Sequence, residues 1–156
     1  MGRSTLSKRE IKELIPLISS FISISPKQKV ELVTEDKYTM LYIDDKGLFF
    51  EFDGRWLPLL KHIISGEIKV PYKHVTVDMG AIRFVANGAD IMRPGITQIE
   101  DGIAAGNPVL IIDEKHGKIL ALGIAMFNSE EMRAKKEGKV IKNAHAAGDV
   151  LWELTK

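Results

Sequence analysis

The sequence predicts an α+β protein: a small N-terminal α/β domain with an antiparallel sheet, followed by a C-terminal β-barrel carrying short helices. Two observations lead there. Apolar residues repeat at helical spacing over Ile11–Ile18 and then give way to β-branched and aromatic runs separated by turn residues. Nine of the thirteen glycines lie between Gly80 and Gly148, cutting the second half into many short strands with tight turns. The 156 residues suit two small domains of roughly 70–80 residues each. Ile68-Lys69-Val70-Pro71 reads as the hinge, because Pro71 forces extended geometry on the residue before it and the periodicity restarts afterwards. The domains are therefore placed at 1–73 and 74–156.

Ser7-Lys8-Arg9-Glu10 is a capping-box pattern that opens the first helix. Ile11, Leu14, Ile15 and Ile18 form its apolar stripe, and Pro16 within the stripe predicts a kink or a break into two short helices. Val30–Val33, Tyr38–Ile43 and Leu48–Phe52 read as strands, with Asp44-Asp45-Lys46-Gly47 as a turn and Asp53-Gly54 as a stop. Leu57–Ile64 reads as a short helix ended by Gly66.

In the second half His74–Val77 reads as a strand and Met79–Ala86 as a short helix ended by Asn87-Gly88. Arg93-Pro94-Gly95-Ile96 has the composition of a type II turn. Val109–Asp113 and Ile119–Phe127 are strands joined by a charged hairpin loop. Ser129 is placed as the cap of a helix over Glu130–Glu137, and Val150–Leu154 as a final strand.

The chain is 45% hydrophobic and 28% charged, the composition of a folded, water-soluble protein. It has no cysteine, so disulfide scaffolds, thiolate nucleophiles and thiolate metal sites are excluded. No apolar run approaches the ~20 residues of a membrane span, and charges stand where a signal peptide needs its apolar stretch. A cytoplasmic protein without membrane attachment is expected. The net charge of +1 carries no global polyanion-binding signature. Locally, Arg133, Lys135, Lys136, Lys139 and Lys142 face only Glu137, which is either a solvated helix end or a patch of phosphate contacts.

Catalytic motifs are absent. His62, His74, His116 and His145 stand at no spacing that puts two ligands on one helical face, and there is no phosphate-cradling or dinucleotide-binding glycine motif. The adjacent carboxylates Asp44-Asp45 and Glu130-Glu131 fit turn and helix-cap positions. The sequence asks for no enzyme, metal or cofactor. Residues 75–95 stand apart as a strand, a Gly-Ala helix start, a Gly stop and a Pro-Gly turn. Small residues at a helix start leave backbone N–H groups approachable by phosphate, with Arg83 and Arg93 close by. Alternatively Gly80, Gly88 and Gly95 only permit tight turns, and the residues alone leave both readings open.

The stretches Val77-Asp78-x-Gly80-Ala81-Ile82-x-Phe84-Val85, Gly88-Ala89-x-Ile91-Met92-x-Pro94-Gly95 and Asn143-x-His145-x-x-x-Asp149-x-Leu151-Trp152 resemble the PUA domain. More narrowly, the chain resembles the malignant T-cell-amplified-sequence family of translation factors, which place a PUA domain behind a short N-terminal domain. The resemblance is good over 74–154 and weaker over 1–73. It implies a PUA pseudo-barrel and a non-enzymatic RNA-binding protein. The expected partners are rRNA or tRNA, the small ribosomal subunit and a protein with an initiation-factor-like domain, and the expected step is initiation, reinitiation or recycling. Carried over to this sequence, it implies RNA contacts at Gly80, Ala81, Arg83, Gly88, Arg93, Pro94 and Gly95. Asn143 and His145 are expected to hydrogen-bond a loop, and Trp152 to lie in the core. The alternatives are an accessory PUA subunit of a tRNA- or rRNA-modifying enzyme, and an adaptor that exposes the apolar strand Leu48–Phe52.

Overall fold

In the computed structural model, which describes residues 1–156, the Ser7 hydroxyl accepts the Glu10 amide at 3.1 Å while the Glu10 carboxylate accepts the Ser7 amide at 3.0 Å. This reciprocal cap opens helix α1, Lys8–Ile18. The helix runs through Pro16 without the expected break. Pro16 sits in the last turn, where it removes a single N–H, and the Ser19 amide still closes that turn on the Ile15 carbonyl at 2.9 Å. Ile11, Leu14 and Ile18 are buried against Val30, Leu41 and Phe49.

Five strands form the first sheet: β1 Gly2–Thr5, β2 Val30–Glu35, β3 Tyr38–Ile43, β4 Lys46–Phe52 and β5 Arg55–Pro58. They lie in sequence order and all neighbours are antiparallel. The three central strands are those the sequence predicts. β1 was not predicted, because Gly-Arg-Ser-Thr has no apolar alternation and takes its structure from pairing with β2. The stretch read as one helix over Leu57–Ile64 divides into β5 and helix α2, Leu60–Ile64. Asp53 and Gly54, at φ of 49° and 78°, make a two-residue hairpin that returns the chain onto β4 before the helix can start. β4 is an interior strand, and Phe49 and Phe50 are 0% and 1% exposed although they point to opposite faces. That overturns the exposed apolar strand on which an adaptor reading depended.

Chain contacts divide the molecule into Met1–Val70 with Glu153–Lys156 and, separately, Pro71–Trp152. The second unit holds β6 Lys73–Val77, helix α3 Ile82–Ala86, β7 Ile91–Met92, β8 Ile96–Ile99, β9 Pro108–Asp113 and β10 Ile119–Ala125. Helix α4 Ser129–Ala134, β11 Lys139–Ala146 and helix α5 Val150–Leu154 complete the chain. The sheet order is β7-β11-β10-β9-β6-β8; only the β6–β9 pair is parallel. This curled six-stranded half-barrel closes around Val75, Val77, Val85, Ile111, Ala121, Met132 and Ile141. Its α+β architecture is the pseudo-barrel that the resemblance implies.

Four local expectations fail here. Val150–Leu154 is helical rather than a strand, because the Asp149 carboxylate accepts the Trp152 amide at 2.9 Å and starts a helical turn. The cap of α4 is Asn128, one residue before Ser129, and it forms a reciprocal box with Glu131. That helix stops at Ala134 rather than Glu137, and β11, which the basic run concealed, follows it. Arg93-Pro94-Gly95 is a short 3₁₀ turn, not a type II turn, and Gly95 does not use a positive φ.

Candidate nucleic-acid interface

Asp78 organises the segment after β6. Its carboxylate accepts the Ala81 amide at 2.9 Å, and its own amide donates to the Gly95 carbonyl at 2.8 Å. The first bond caps the 3₁₀ turn Met79–Ala81 that leads into α3. The second ties the helix start to the 3₁₀ turn Arg93–Gly95. A side chain at Gly95 would place its Cβ 3.3 Å from that of Ala81, so this glycine serves a close approach of two turns. Gly88, at φ of 89°, ends α3 in the left-handed region.

Between the two turns lies a groove of about 380 Å³ lined by Gly80, Ala81, Phe84, Met92, Pro94 and Gly95, with Asp78 and Asp90 at its edges. Both carboxylates are engaged, Asp78 as above and Asp90 by Lys139 at 2.8 Å and the Asn143 amide at 2.8 Å. Burial pushes the Asp90 carboxyl up, but Lys139 and the Asn143 amide outweigh it and hold it below the usual carboxylate range. Asn143 also donates its side-chain amide to the Val85 and Ala89 carbonyls, both at 3.0 Å, which fixes the chain after α3. His145 is buried and bonds Asp149 at 2.9 Å. Trp152 is only half-buried.

Of the residues the sequence proposes for RNA, Gly80, Ala81, Pro94 and Gly95 line this groove. Arg83 is exposed on α3 with its guanidinium 4.9 Å from the centre of the Phe84 ring. Gly88 lies outside the lining. Arg93 turns the other way: its Nε donates to the Met132 carbonyl at 2.7 Å and its Nη1 to the Ile96 carbonyl at 3.2 Å. The Ala81 amide, at the helix start thought open to phosphate, is already held by Asp78.

The basic run is dispersed over α4, the loop that follows it and β11. Arg133 bonds the Ile99 carbonyl and Asp101, Lys135 lies 4.1 Å from the Phe127 ring centre, and Lys139 pairs with Asp90. Lys136 and Lys142 are exposed, the second within the field of Asp90.

Sequence reasoning passed over Phe84 and Met92, which are 54% and 49% exposed. A one-turn helix buries one face, and here that face is Val85, which leaves its neighbours Arg83 and Phe84 in solvent. No group of three or more His, Asp or Glu side chains is placed to hold a metal ion, and no helix is long and apolar enough to cross a membrane.

A curled half-barrel with this strand–helix–turn groove defines a class. Residues 73–147 match the PUA domain, and residues 2–65 match a domain of unknown function, DUF1947. The chain is 35% identical to an uncharacterized protein of Methanocaldococcus jannaschii over 97% of this chain and 96% of that one. It is 34% identical to translation machinery-associated protein 20 of Saccharomyces cerevisiae, over 97% and 87% of the two chains. A crystal structure of a hypothetical protein from Pyrococcus horikoshii superposes with a TM-score of 0.75 at 32% identity, covering 99% of this chain and 100% of that one. The chain belongs to the family of translation machinery-associated protein 20 and the malignant T-cell-amplified sequence proteins, the rat member being 30% identical over 94% of this chain and 84% of its own.

Proposed function

We propose that the protein is an RNA-binding translation factor that works on the small ribosomal subunit in initiation, reinitiation or recycling, in the cytoplasm, by binding rather than by catalysis. The observation that carries this reading is the pairing of Arg83 and Phe84 at the mouth of the groove. The Phe84 ring, 54% exposed, leaves more than half of its apolar surface in water beside the groove. A ring of this kind stacks an unpaired base, for about 1–3 kcal/mol, and the cation beside it meets the adjoining phosphate. The apolar groove beyond it, with Gly80 and Gly95 unobstructed by side chains, admits a further base or sugar. The near-neutral net charge makes affinity for free RNA modest, so contacts to a ribosomal or initiation-factor-like protein would supply the remainder.

Co-sedimentation of the purified protein with small ribosomal subunits tests the proposal. Association at low salt and its loss at high salt are expected. Arg83→Glu and Phe84→Ala should each weaken it at least tenfold while moving Tm by no more than about two degrees, as fits exposed positions. Unchanged binding in both variants would remove the groove from the interface. Capture of a modification enzyme instead of the subunit would replace the factor with an accessory protein.

A further inference from the structure

Arg93, which the sequence placed with the RNA groove, opens a different site. Its 3₁₀ turn separates two depressions: Pro94 and Gly95 face the groove, while the Arg93 side chain lies in a cleft of about 540 Å³ along β8. β8 is an edge strand, and two guanidinium groups lie against it. Arg93 donates to the Ile96 carbonyl and Arg133 to the Ile99 carbonyl at 2.6 Å, so main-chain oxygens fix both.

The charges do not balance. Asp101 is paired with Arg133, and Glu100 accepts the His74 amide at 2.7 Å and faces Lys73 at 3.7 Å. Arg93 is half-buried, and its two bonds go to neutral carbonyls and none to a carboxylate. It therefore keeps a net positive charge, with the rest of its five donors available. The His74 side chain, exposed on β6, and Gln98 add hydrogen-bonding groups to the cleft. Ile99 and Ile112, both half-buried, border it, and Ile96 beneath it belongs to the core.

We infer that this cleft binds a nucleotide, its phosphate on Arg93 and, in exchange for Asp101, on Arg133. The volume fits a ligand of that size and far exceeds a lone phosphate. Planar guanidinium forks held in place are the chemistry that selects a phosphate ester. Such a phosphate comes either from a free nucleotide or from an RNA strand, and the shared chemistry is what the cleft recognises. This site is distinct from the Phe84 groove.

Titration of the full chain with AMP, adenosine and a short oligoadenylate RNA, followed by NMR, tests the inference. AMP should shift the Arg93 Nε resonance and the amides of Thr97 and Gln98, and adenosine should bind at least tenfold more weakly. Arg93→Gln should weaken AMP at least tenfold. Because that change also removes two bonds that hold the turn, the exposed double variant Arg133→Gln with His74→Ala is the second reading, with a several-fold loss expected and the fold intact by its amide spectrum. Oligoadenylate that shifts the Thr97 and Gln98 amides at lower concentration than AMP assigns the phosphate to an RNA strand, and the reverse order assigns it to a free nucleotide. Equal binding of AMP and adenosine, no shift in the cleft at millimolar AMP, or an unaffected double variant would overturn the site. Arg83→Glu should leave AMP binding unchanged, which separates a failure here from a failure of the Phe84 groove.

Discussion

Asp149 shows how much one side chain can hold. Its carboxylate accepts the buried His145 ring at 2.9 Å, the Ala146 amide at 2.8 Å and the Trp152 amide at 2.9 Å, so it both ends β11 and starts α5. Burial pushes its pKa up, but the His145 ring and the two amides together outweigh burial and hold it below the usual carboxylate range. The folded protein therefore binds this proton more weakly than the unfolded chain does. The stabilisation is complete above the ordinary carboxylate value of 3.8 and is lost as pH falls through it toward the lower folded value. Thermal melts from pH 7 down to about pH 2 should show that loss, and Asp149→Asn should lower Tm at pH 7 while flattening the acid limb. An acid limb unchanged in the variant would assign the pH dependence to other carboxylates, Asp90 first among them.

At the scale of elements, β10 and β11 shift register at Gly123, and this bulge bends the sheet. A Cβ at Gly123 would stand 2.6 Å from the Ile141 side chain and 3.0 Å from the Lys142 carbonyl. Gly123→Ala should cost about 1–3 kcal/mol, the range for overpacking a filled core, and denaturant melts would read it as a lower midpoint with an unchanged slope. A neutral substitution would mean that Ile141 can rotate aside. Elements of this kind divide what the sequence reveals from what it hides. β2, β3, β4, β9 and most of β10 were legible because their own residues are apolar and bounded by turns. β1, β11 and α5 were not. The first is polar throughout, and the second begins inside a run of lysines. The third is too short for a period of 3.6 to differ from a period of 2, and its identity rests on Asp149 alone. The groove residues Gly80, Ala81, Pro94 and Gly95 were legible from glycine placement and family motif together. Arg93 was not, because its neighbours in sequence lie in the groove while the 3₁₀ turn swings its side chain away. Phe84 was not legible as a surface ring, since nothing local says that Val85 alone takes the buried side.

For the whole molecule the deciding quantities are its net charge and how much of its one basic run is already engaged. Net charge is +1, and of the five basic residues in the run Arg133–Lys142, Arg133 and Lys139 are spent on carboxylates and Lys135 lies over a ring. Each phosphate neutralised on a single strand contributes a slope of about −0.7 in log affinity against log salt, so a fourfold rise in salt costs about threefold per contact. Binding through Arg83 and one or two further cations should therefore weaken only about seven- to twentyfold between 50 and 200 mM salt, where a protein making about ten contacts would lose closer to ten-thousandfold. Filter binding of single-stranded RNA over that range measures it, and Arg83→Glu should lower the slope by about one contact. A slope several times steeper would mean that the paired lysines release their carboxylates to reach RNA, and the interface would then have to spread from the groove across β11.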